Sequence, residues 1–330
     1  MEATYQYGLE FIAWLQTTFP QLAGFFLFIT NLGLEEFYLA VFPMIYWCIH
    51  KELGKYLGAL FLVTVMLNGI FKQTFRLPRP FWIDENIALD TREEGYGLPS
   101  GHVMYAMVFY FFIAGWVRKT WVWVVAVVLL FLMALSRVYL GVHFIQDVVA
   151  GFFISGTLLL MYLFWNRRYG TRFRKRILGQ RLLVAVLVPL ALGIAYIIIL
   201  LIIGAPDMSV PWAEYIPAAE RTSIDAVAQP FGLLLGFGVA VILEGSRIRF
   251  RADGSIWKRI VRYVVGMVVV LAIWRGLGIV FPREPLAVGV PLRIVRYFLL
   301  TLWIGYYAPW AFVKLRLADA DPEPEISLKM

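Results

Sequence analysis

Residues 120–165 of the chain read TWVWVVAVVLLFLMALSRVYLGVHFIQDVVAGFFISGTLLLMYLFW. Two apolar stretches, at about 120–141 and 144–165, flank a short polar block, and each could cross a bilayer as a helix of about 20 residues. The whole chain of 330 residues is 61% hydrophobic and 16% charged, whereas soluble domains have about 25% charged residues. The sequence therefore predicts an integral membrane protein and excludes one or two soluble domains.

Eight further apolar segments surround this pair. The expected fold is an all-α integral membrane protein with about ten transmembrane helices. The first segment contains Glu10, Gln16 and Pro20, which also fit an interfacial or re-entrant course, and nine helices would then span the membrane. The ten segments are residues 9–30, 34–50, 54–75, 101–117, 120–141, 144–165, 182–203, 227–243, 260–281 and 294–315.

The distribution of charge indicates a topology. A net charge of +8 is compatible with nucleic acid as a partner, but the basic residues lie in loops between apolar segments. We therefore expect contacts with membrane lipids and none with nucleic acid. Lys and Arg concentrate in alternate loops, which are assigned to the cytoplasm, and most loop acids lie on the opposite side. The basic loops are residues 51–55, 118–119, 166–181 and 247–262.

The same loops suggest a division of the chain. Residues 166–181 form a basic cytoplasmic linker between a first region of six spans, residues 1–165, and a second region of four spans, residues 182–318. Residues 319–330 form a short acidic tail, which we expect to be frayed.

Three polar blocks interrupt the first region, and all three fall on the extracytoplasmic side. They read KQTFRLPRP at 72–80, PSGH at 99–102 and SRVYLGVHFIQD at 136–147. Ionisable residues at membrane depth are costly and usually functional. A single site built from these blocks is therefore expected at the outer membrane interface.

The cations of these blocks suit a phosphate group. Lys72, Arg79 and Arg137 supply three positive charges, and each guanidinium can hold an oxyanion through paired N–H donors. Ser100 and Gly101 open a helix, whose free backbone N–H groups can face the same anion.

Two of the three histidines also lie in these blocks. Asp147 follows His143 by four residues, so on a helix it could hold one ring nitrogen as an N–H donor and leave the other nitrogen as a nucleophile. His102 could protonate the leaving oxygen and then activate water. The acidic loop at 84–94 is expected to be solvated, and we predict no metal site and no cofactor.

The three blocks resemble the signature of the type 2 phosphatidic acid phosphatase (PAP2) superfamily, KxxxxxxRP, PSGH and SRxxxxxHxxxD, with every specified residue present in order. The resemblance covers residues 1 to about 165 and implies a six-helix catalytic core there, whereas the four helices expected after residue 181 match no motif. It implies a metal-independent phosphatase with three catalytic residues, His143 as nucleophile, His102 as general acid and Asp147 orienting His143. The residues implied to bind phosphate are Lys72, Arg79, Ser100, Gly101 and Arg137.

The segments around the motifs, Glu35-Glu36-Phe37-Tyr38, Tyr46-Trp47 and Gly95-Tyr96-Gly97, are most similar to membrane members of the sphingosine-phosphate phosphatase type. We expect a polyprenyl, sphingoid or glycerolipid phosphate or diphosphate as substrate, because a site at the membrane surface lets the lipid tail stay in the bilayer. The alternatives are a glucose-6-phosphatase-like sugar phosphatase, a lipid-linked phosphotransferase and a non-enzymatic transporter or scaffold.

Three arginines of the second region are candidates for contacts with a lipid headgroup. Arg275 lies inside the ninth segment, and Arg293 and Arg296 lie one helical turn apart at the start of the tenth. Intramembrane arginines usually face a cavity, a bundle interior or the headgroup layer.

Overall fold

The computed structural model describes residues 2–89 and 93–322. These residues form fourteen α-helices with short π-helical and 3-10 segments between some of them, which confirms the all-α prediction. The helices are α1 (Glu2–Thr18), α2 (Ala23–Asn31), α3 (Glu35–Met44), α4 (Lys51–Phe75), α5 (Pro80–Ile83), α6 (Gly101–Val117), α7 (Thr120–Tyr139), α8 (Ile145–Arg174), α9 (Leu178–Ile203), α10 (Ile216–Arg247), α11 (Ile256–Leu271), α12 (Leu277–Val280), α13 (Leu286–Leu302) and α14 (Ala308–Lys314).

Seven helical segments in the described chain are long and apolar enough to cross a bilayer, or eight if one bent pair forms a single span. The expected count of ten is therefore not confirmed. Helix α6 has 17 residues, which at about 1.5 Å per residue fall short of a bilayer core of about 30 Å. Segment 34–50 is divided between the ten-residue α3, with Pro43 inside it, and the π-helical turn Ile45–Ile49.

The first apolar segment is not one straight helix. Its two parts, Thr4–Thr18 and Pro20–Asn31, are bent by 89°. Pro20 is the first residue after the break, and its ring excludes continuation of the preceding helix. The segment is either a broken span or a re-entrant loop.

The chain divides into two compact units. The first unit contains Met1–Tyr38, Thr64–Leu160 and Tyr196–Ala226. Its core joins α1, α2 and α5 to the end of α7 and the turn that follows, through buried residues that include Ile12, Phe26, Phe81, Tyr139 and Phe144.

The second unit contains Leu39–Val63, Met161–Ala195 and Val227–Met330. Trp47 is fully buried in its core and donates its indole N–H to the Ile304 carbonyl at 2.9 Å. A buried ion pair joins Lys51 to Glu244 at 2.9 Å.

The start of the acidic tail is held in place, contrary to the expected frayed end. The Asp319 carbonyl accepts from the Arg251 amide at 2.8 Å, and the Asp321 amide donates to the Arg249 carbonyl at 2.8 Å. The rest of the predicted tail, residues 323–330, lies outside the described residues.

Candidate active site

All eight residues of the three polar blocks singled out above lie in the first unit. Helices α4 to α8 present them at their ends or in the turns that join them. Lys72 is in the last turn of α4, Arg79 precedes α5, Ser100 precedes α6, Gly101 and His102 begin α6, Arg137 is in the last turn of α7, His143 precedes α8 and Asp147 is in the first turn of α8.

His143 and Asp147 are in contact, as the spacing predicts, although the local structure differs. His143 Nδ1 lies 3.1 Å from Asp147 Oδ2, which also accepts the Phe144 backbone N–H at 3.0 Å. His143 lies in the turn before α8 and not on a helix, because α8 begins only at Ile145. Gly141 shapes this turn with a φ of +72°, and a Cβ there would lie 2.1 Å from the Ile87 carbonyl oxygen.

Arg79 determines which nitrogen of His143 carries the proton. Its side chain is fully buried, and Arg79 Nη1 lies 3.3 Å from His143 Nε2. Because a guanidinium only donates, Nε2 is the unprotonated nitrogen and Nδ1–H donates to Asp147. Burial first, and then the charges of Arg79, Lys72 and Arg137, hold the pKa of His143 well below 6.5. The imidazole is therefore neutral, with its lone pair at Nε2.

Glu93 lies between the two site arginines, which the sequence did not indicate. Arg79 Nη2 donates to Glu93 Oε2 at 3.0 Å, Arg137 Nη2 donates to Oε1, and His102 Nδ1 lies 3.6 Å from Oε1. Burial opposes a charge here, but the guanidiniums of Arg79 and Arg137 prevail and hold the pKa of Glu93 well below 4.5. The loop 84–94 is thus not simply solvated, although its residues 90–92 lie outside the described part.

Lys72 and Arg79 are both held by backbone carbonyls of the segment 95–97. Lys72 Nζ donates to the Tyr96 carbonyl at 2.6 Å, and Arg79 Nε donates to the Gly95 carbonyl. The Gly97 amide donates to the Leu77 carbonyl at 2.9 Å. A Cβ on Gly97 would lie 2.7 Å from the Pro78 carbonyl oxygen, so only glycine permits this approach.

The start of α6 presents polar atoms without partners. The Ser100 hydroxyl and His102 Nε2 are buried and have no hydrogen-bond partner among the described residues. Buried polar groups are nearly always satisfied, so unsatisfied ones call for an explanation such as a ligand. The Ser100 amide is fixed by the Asp147 carbonyl at 3.0 Å, and a Cβ on Gly101 would lie 3.0 Å from Asn68 Oδ1.

Helix α2 and the turn after it complete the site. Arg137 Nη1 donates to the Thr30 hydroxyl. Gly33 lies so close to His102 that a Cβ there would be 2.2 Å from the imidazole Cδ2. Neither residue belongs to a polar block, and the predicted first span gave no signal that its end would reach the histidine.

The three candidate headgroup arginines belong to the second unit. The Arg275 guanidinium lies 4.3 Å from the centroid of the Trp274 ring, and that of Arg296 lies 4.6 Å from the centroid of the Tyr297 ring. Their contact with a headgroup, like that of Arg293, stays a prediction.

Comparison with known proteins places this arrangement in a family. A model of the PAP2 superfamily matches residues 53–171, which contain all three polar blocks. Phosphatidylglycerophosphatase B of Bacillus subtilis (strain 168) is 32% identical over 148 residues, which are 41% of this chain and 70% of that relative. The chain belongs to the PAP2 superfamily. A second model, described as the transmembrane extension of PAP2 superfamily phosphatases, matches residues 228–320, in the region for which the sequence offered no motif.

Other PAP2 relatives share shorter portions of their length. Sphingosine-1-phosphate phosphatase 2 of Mus musculus is 29% identical over 153 residues, which are 43% of this chain and 42% of that relative. Undecaprenyl-diphosphatase of Sulfolobus acidocaldarius is 26% identical over 136 residues, 41% of this chain and 66% of that relative. The chain thus spans less than half of the sphingosine-1-phosphate phosphatase that it matches.

Proposed function

We propose that this PAP2 protein is a metal-independent membrane phosphatase that hydrolyses a lipid phosphate or diphosphate through a phosphohistidine on His143. The observation that carries the proposal is the contact of His143 with Asp147 on one ring nitrogen and with Arg79 on the other. It provides a neutral imidazole whose lone pair lies beside a cation that can bind phosphate oxygens.

In the first step His143 Nε2 attacks phosphorus, and the bond from phosphorus to the ester oxygen breaks. Protonated His102 gives its proton to the leaving oxygen, so the lipid departs as an alcohol, or as a monophosphate if the substrate is a diphosphate. Asp147 stabilises the positive charge that the His143 ring gains. Lys72, Arg79, Arg137 and the N–H groups at the start of α6 balance the charge on the phosphoryl oxygens.

In the second step water attacks the phosphohistidine. His102, now neutral, takes a proton from the water as the new oxygen–phosphorus bond forms and the bond from Nε2 to phosphorus breaks. Inorganic phosphate leaves, and both histidines return to their initial protonation states.

The proposed substrate is amphipathic and reaches the site from the extracytoplasmic side of the membrane. The names of the three relatives above refer to phosphatidylglycerophosphate, sphingosine 1-phosphate and undecaprenyl diphosphate, which share a phosphorylated head and a long apolar tail. A site formed at helix ends suits such a molecule because the tail can remain in lipid.

The test is release of inorganic phosphate by the purified protein in detergent with EDTA present. The panel contains glycerolipid, sphingoid and polyprenyl phosphates, a polyprenyl diphosphate and glucose 6-phosphate. The proposal is supported if the wild type releases phosphate from a lipid, His143→Ala does not, and the matched histidine control His50→Ala still does. Radiolabelled substrate should leave acid-labile label on His102→Ala and none on His143→Ala.

Other outcomes would identify one of the alternatives. Preferential release from glucose 6-phosphate would indicate a sugar phosphatase, and release that requires an added alcohol acceptor would indicate a phosphotransferase. Folded protein that releases no phosphate from any substrate would contradict the proposal and favour a transporter or scaffold.

A further inference from the structure

The beginning of α10 supplies a carboxylate to a network next to the site. Glu220 Oε1 accepts the Tyr96 hydroxyl at 2.6 Å. The Gln73 amide donates to both Glu220 oxygens, at 3.0 and 2.9 Å, and Arg76 Nε lies 3.2 Å from Oε1. One carboxylate therefore ties the end of α4 to the segment 95–97, and all of these residues belong to the first unit.

Tyr96 connects this network to the phosphate site. Its hydroxyl is bound by Glu220, while its backbone carbonyl binds Lys72 Nζ at 2.6 Å. The residue is 1% exposed, so the ring has one packed position and cannot turn without moving the backbone. Lysine has a flexible four-carbon stem, and a fixed acceptor is what holds its ammonium group in one place.

Close packing keeps the start of α10 and the short turn before it beside the site. The rings of Trp82 and Tyr215 are stacked, with centroids 5.5 Å apart and 5° between their planes. A Cβ on Gly69 of α4 would lie 2.4 Å from the Ala226 carbonyl oxygen, so the two helix backbones are almost in contact there. Glu220 is therefore presented from a rigid support.

We propose that Glu220 is a positioning residue for the phosphate site, acting through Tyr96 on Lys72. Glu220 holds the Tyr96 side chain, the Tyr96 carbonyl holds the ammonium group, and the ammonium group meets the phosphate. Glu220 lies between the two segments that the family models match, 53–171 and 228–320, so family membership does not assign it this role. The proposal rests on the phosphatase function proposed above.

The experiment measures kcat/KM for Glu220→Ala, Glu220→Gln and Tyr96→Phe on the lipid that the wild type hydrolyses fastest. We expect Glu220→Ala and Tyr96→Phe to lower kcat/KM by about 10- to 100-fold, the range that follows from small misplacements of a catalytic group. Glu220→Gln keeps an acceptor for the Tyr96 hydroxyl and should recover part of the loss. Glu214→Gln, at an exposed acid just before α10, is the matched control and should match the wild type.

A double-mutant cycle with Lys72→Met separates positioning from general support of the fold. If Glu220 acts through Lys72, Glu220→Ala causes little further loss once Lys72 is removed. For variants whose turnover is too slow to measure, the same double-mutant cycle uses the affinity for orthovanadate, obtained from its effect on the melting temperature Tm. The proposal would be overturned if the fold losses of kcat/KM in the two single variants multiplied in the double variant, or if Glu220→Ala kept full activity. Absence of phosphate release by the wild type would instead contradict the proposed function.

Discussion

Glu93 accepts hydrogen bonds from the two arginines that the proposed mechanism assigns to phosphate binding. Arg79 and Arg137 each donate to one of its oxygens, so a phosphate group has to compete with this carboxylate. Glu93→Gln removes the competing charge, and we expect orthovanadate to bind about tenfold more tightly, a difference of about 1.4 kcal/mol. The measurement is the orthovanadate concentration that halves phosphate release.

The neighbouring exposed acid provides the control for this variant, since Glu94→Gln should leave orthovanadate affinity unchanged. Weaker binding by Glu93→Gln would contradict the competition and would mean that Glu93 mainly holds the two arginines in place.

The ionised form of Glu93 also affects stability against acid. Its pKa in the folded protein is held well below 4.5, so its ion pairs stabilise the fold fully above about pH 4.5 and are lost as the pH falls through the folded pKa. The difference in Tm between wild type and Glu93→Gln should therefore be constant from pH 7 to pH 5 and shrink below pH 4.5. A difference that already shrinks between pH 7 and pH 6 would contradict this assignment.

Gly33 leaves room for the imidazole of His102. A methyl group there would overlap the ring, with 2.2 Å between Cβ and Cδ2. We expect Gly33→Ala to displace His102 and to lower kcat by about 100-fold or more, the usual contribution of a general acid. Gly24→Ala is the matched control, because a Cβ on Gly24 meets nothing within 4 Å. Normal turnover by Gly33→Ala would argue against His102 as the acid.

At the level of single residues the sequence predicts the groups that the motifs specify and misses those that only the fold brings near. His143 and Asp147 are four residues apart, so their contact depends on local geometry alone. Glu93 and Thr30 lie 44 and 107 residues from Arg137 along the chain, and Gly33 approaches His102 from the turn after α2. No local sequence pattern fixes such distances. Nothing in the sequence around an acidic residue of a polar loop indicates that its partner is a buried guanidinium.

The bend between α1 and α2 explains the polar residues of the first apolar segment. Gln16 Nε2 donates to the Ile87 carbonyl at 2.9 Å and to the Tyr139 carbonyl at 2.7 Å. The Tyr139 hydroxyl in turn donates to the Phe19 carbonyl at 2.8 Å. The bent segment is thus joined to the end of α7, directly before the turn that carries His143.

Replacement of Gln16 tests this connection. Gln16→Leu leaves two partly buried carbonyls without their donor, and each such loss costs about 1–3 kcal/mol. We expect a lower Tm in detergent and a loss of phosphate release at temperatures well below the new Tm. Gln6→Leu, which removes only an exposed contact to Glu10, should change neither quantity. Equal stability of the two variants would contradict a structural role of Gln16.

At the scale of the elements, the sequence predicts apolar helical segments, but the expected number of ten membrane crossings is not confirmed. Composition alone identifies a helix that avoids water, but a span also requires length and straightness. Pro20 breaks the first segment, and α6 has only 17 residues. The i, i+4 spacing of His143 and Asp147 fits a helix as readily as a turn closed by a carboxylate, so the sequence does not predict which of the two holds His143.

At the scale of the whole molecule, the distribution of basic loops predicts which side of the membrane each loop occupies. In a Cys48→Ala background, Lys175→Cys and Met208→Cys each place a single thiol at an exposed position. Lys175 lies in a loop predicted to be cytoplasmic, and Met208 lies in a loop predicted to be on the opposite side. We expect a membrane-impermeant maleimide to label Met208→Cys in intact cells and Lys175→Cys only after permeabilisation. The reverse pattern would place the site on the cytoplasmic side.

The contact between Glu220 and the segment 95–97 has a consequence for the history of the chain. Glu220, Gln73 and Tyr96 make one hydrogen-bonded group, yet Glu220 lies 147 positions from Gln73 and 124 positions from Tyr96 in sequence. A lineage that loses the acid leaves a buried tyrosine and a buried amide without an acceptor, so the three positions should change together or not at all. Recombination that exchanges the chain after the catalytic motifs between distant relatives should therefore succeed only when both parents share this trio.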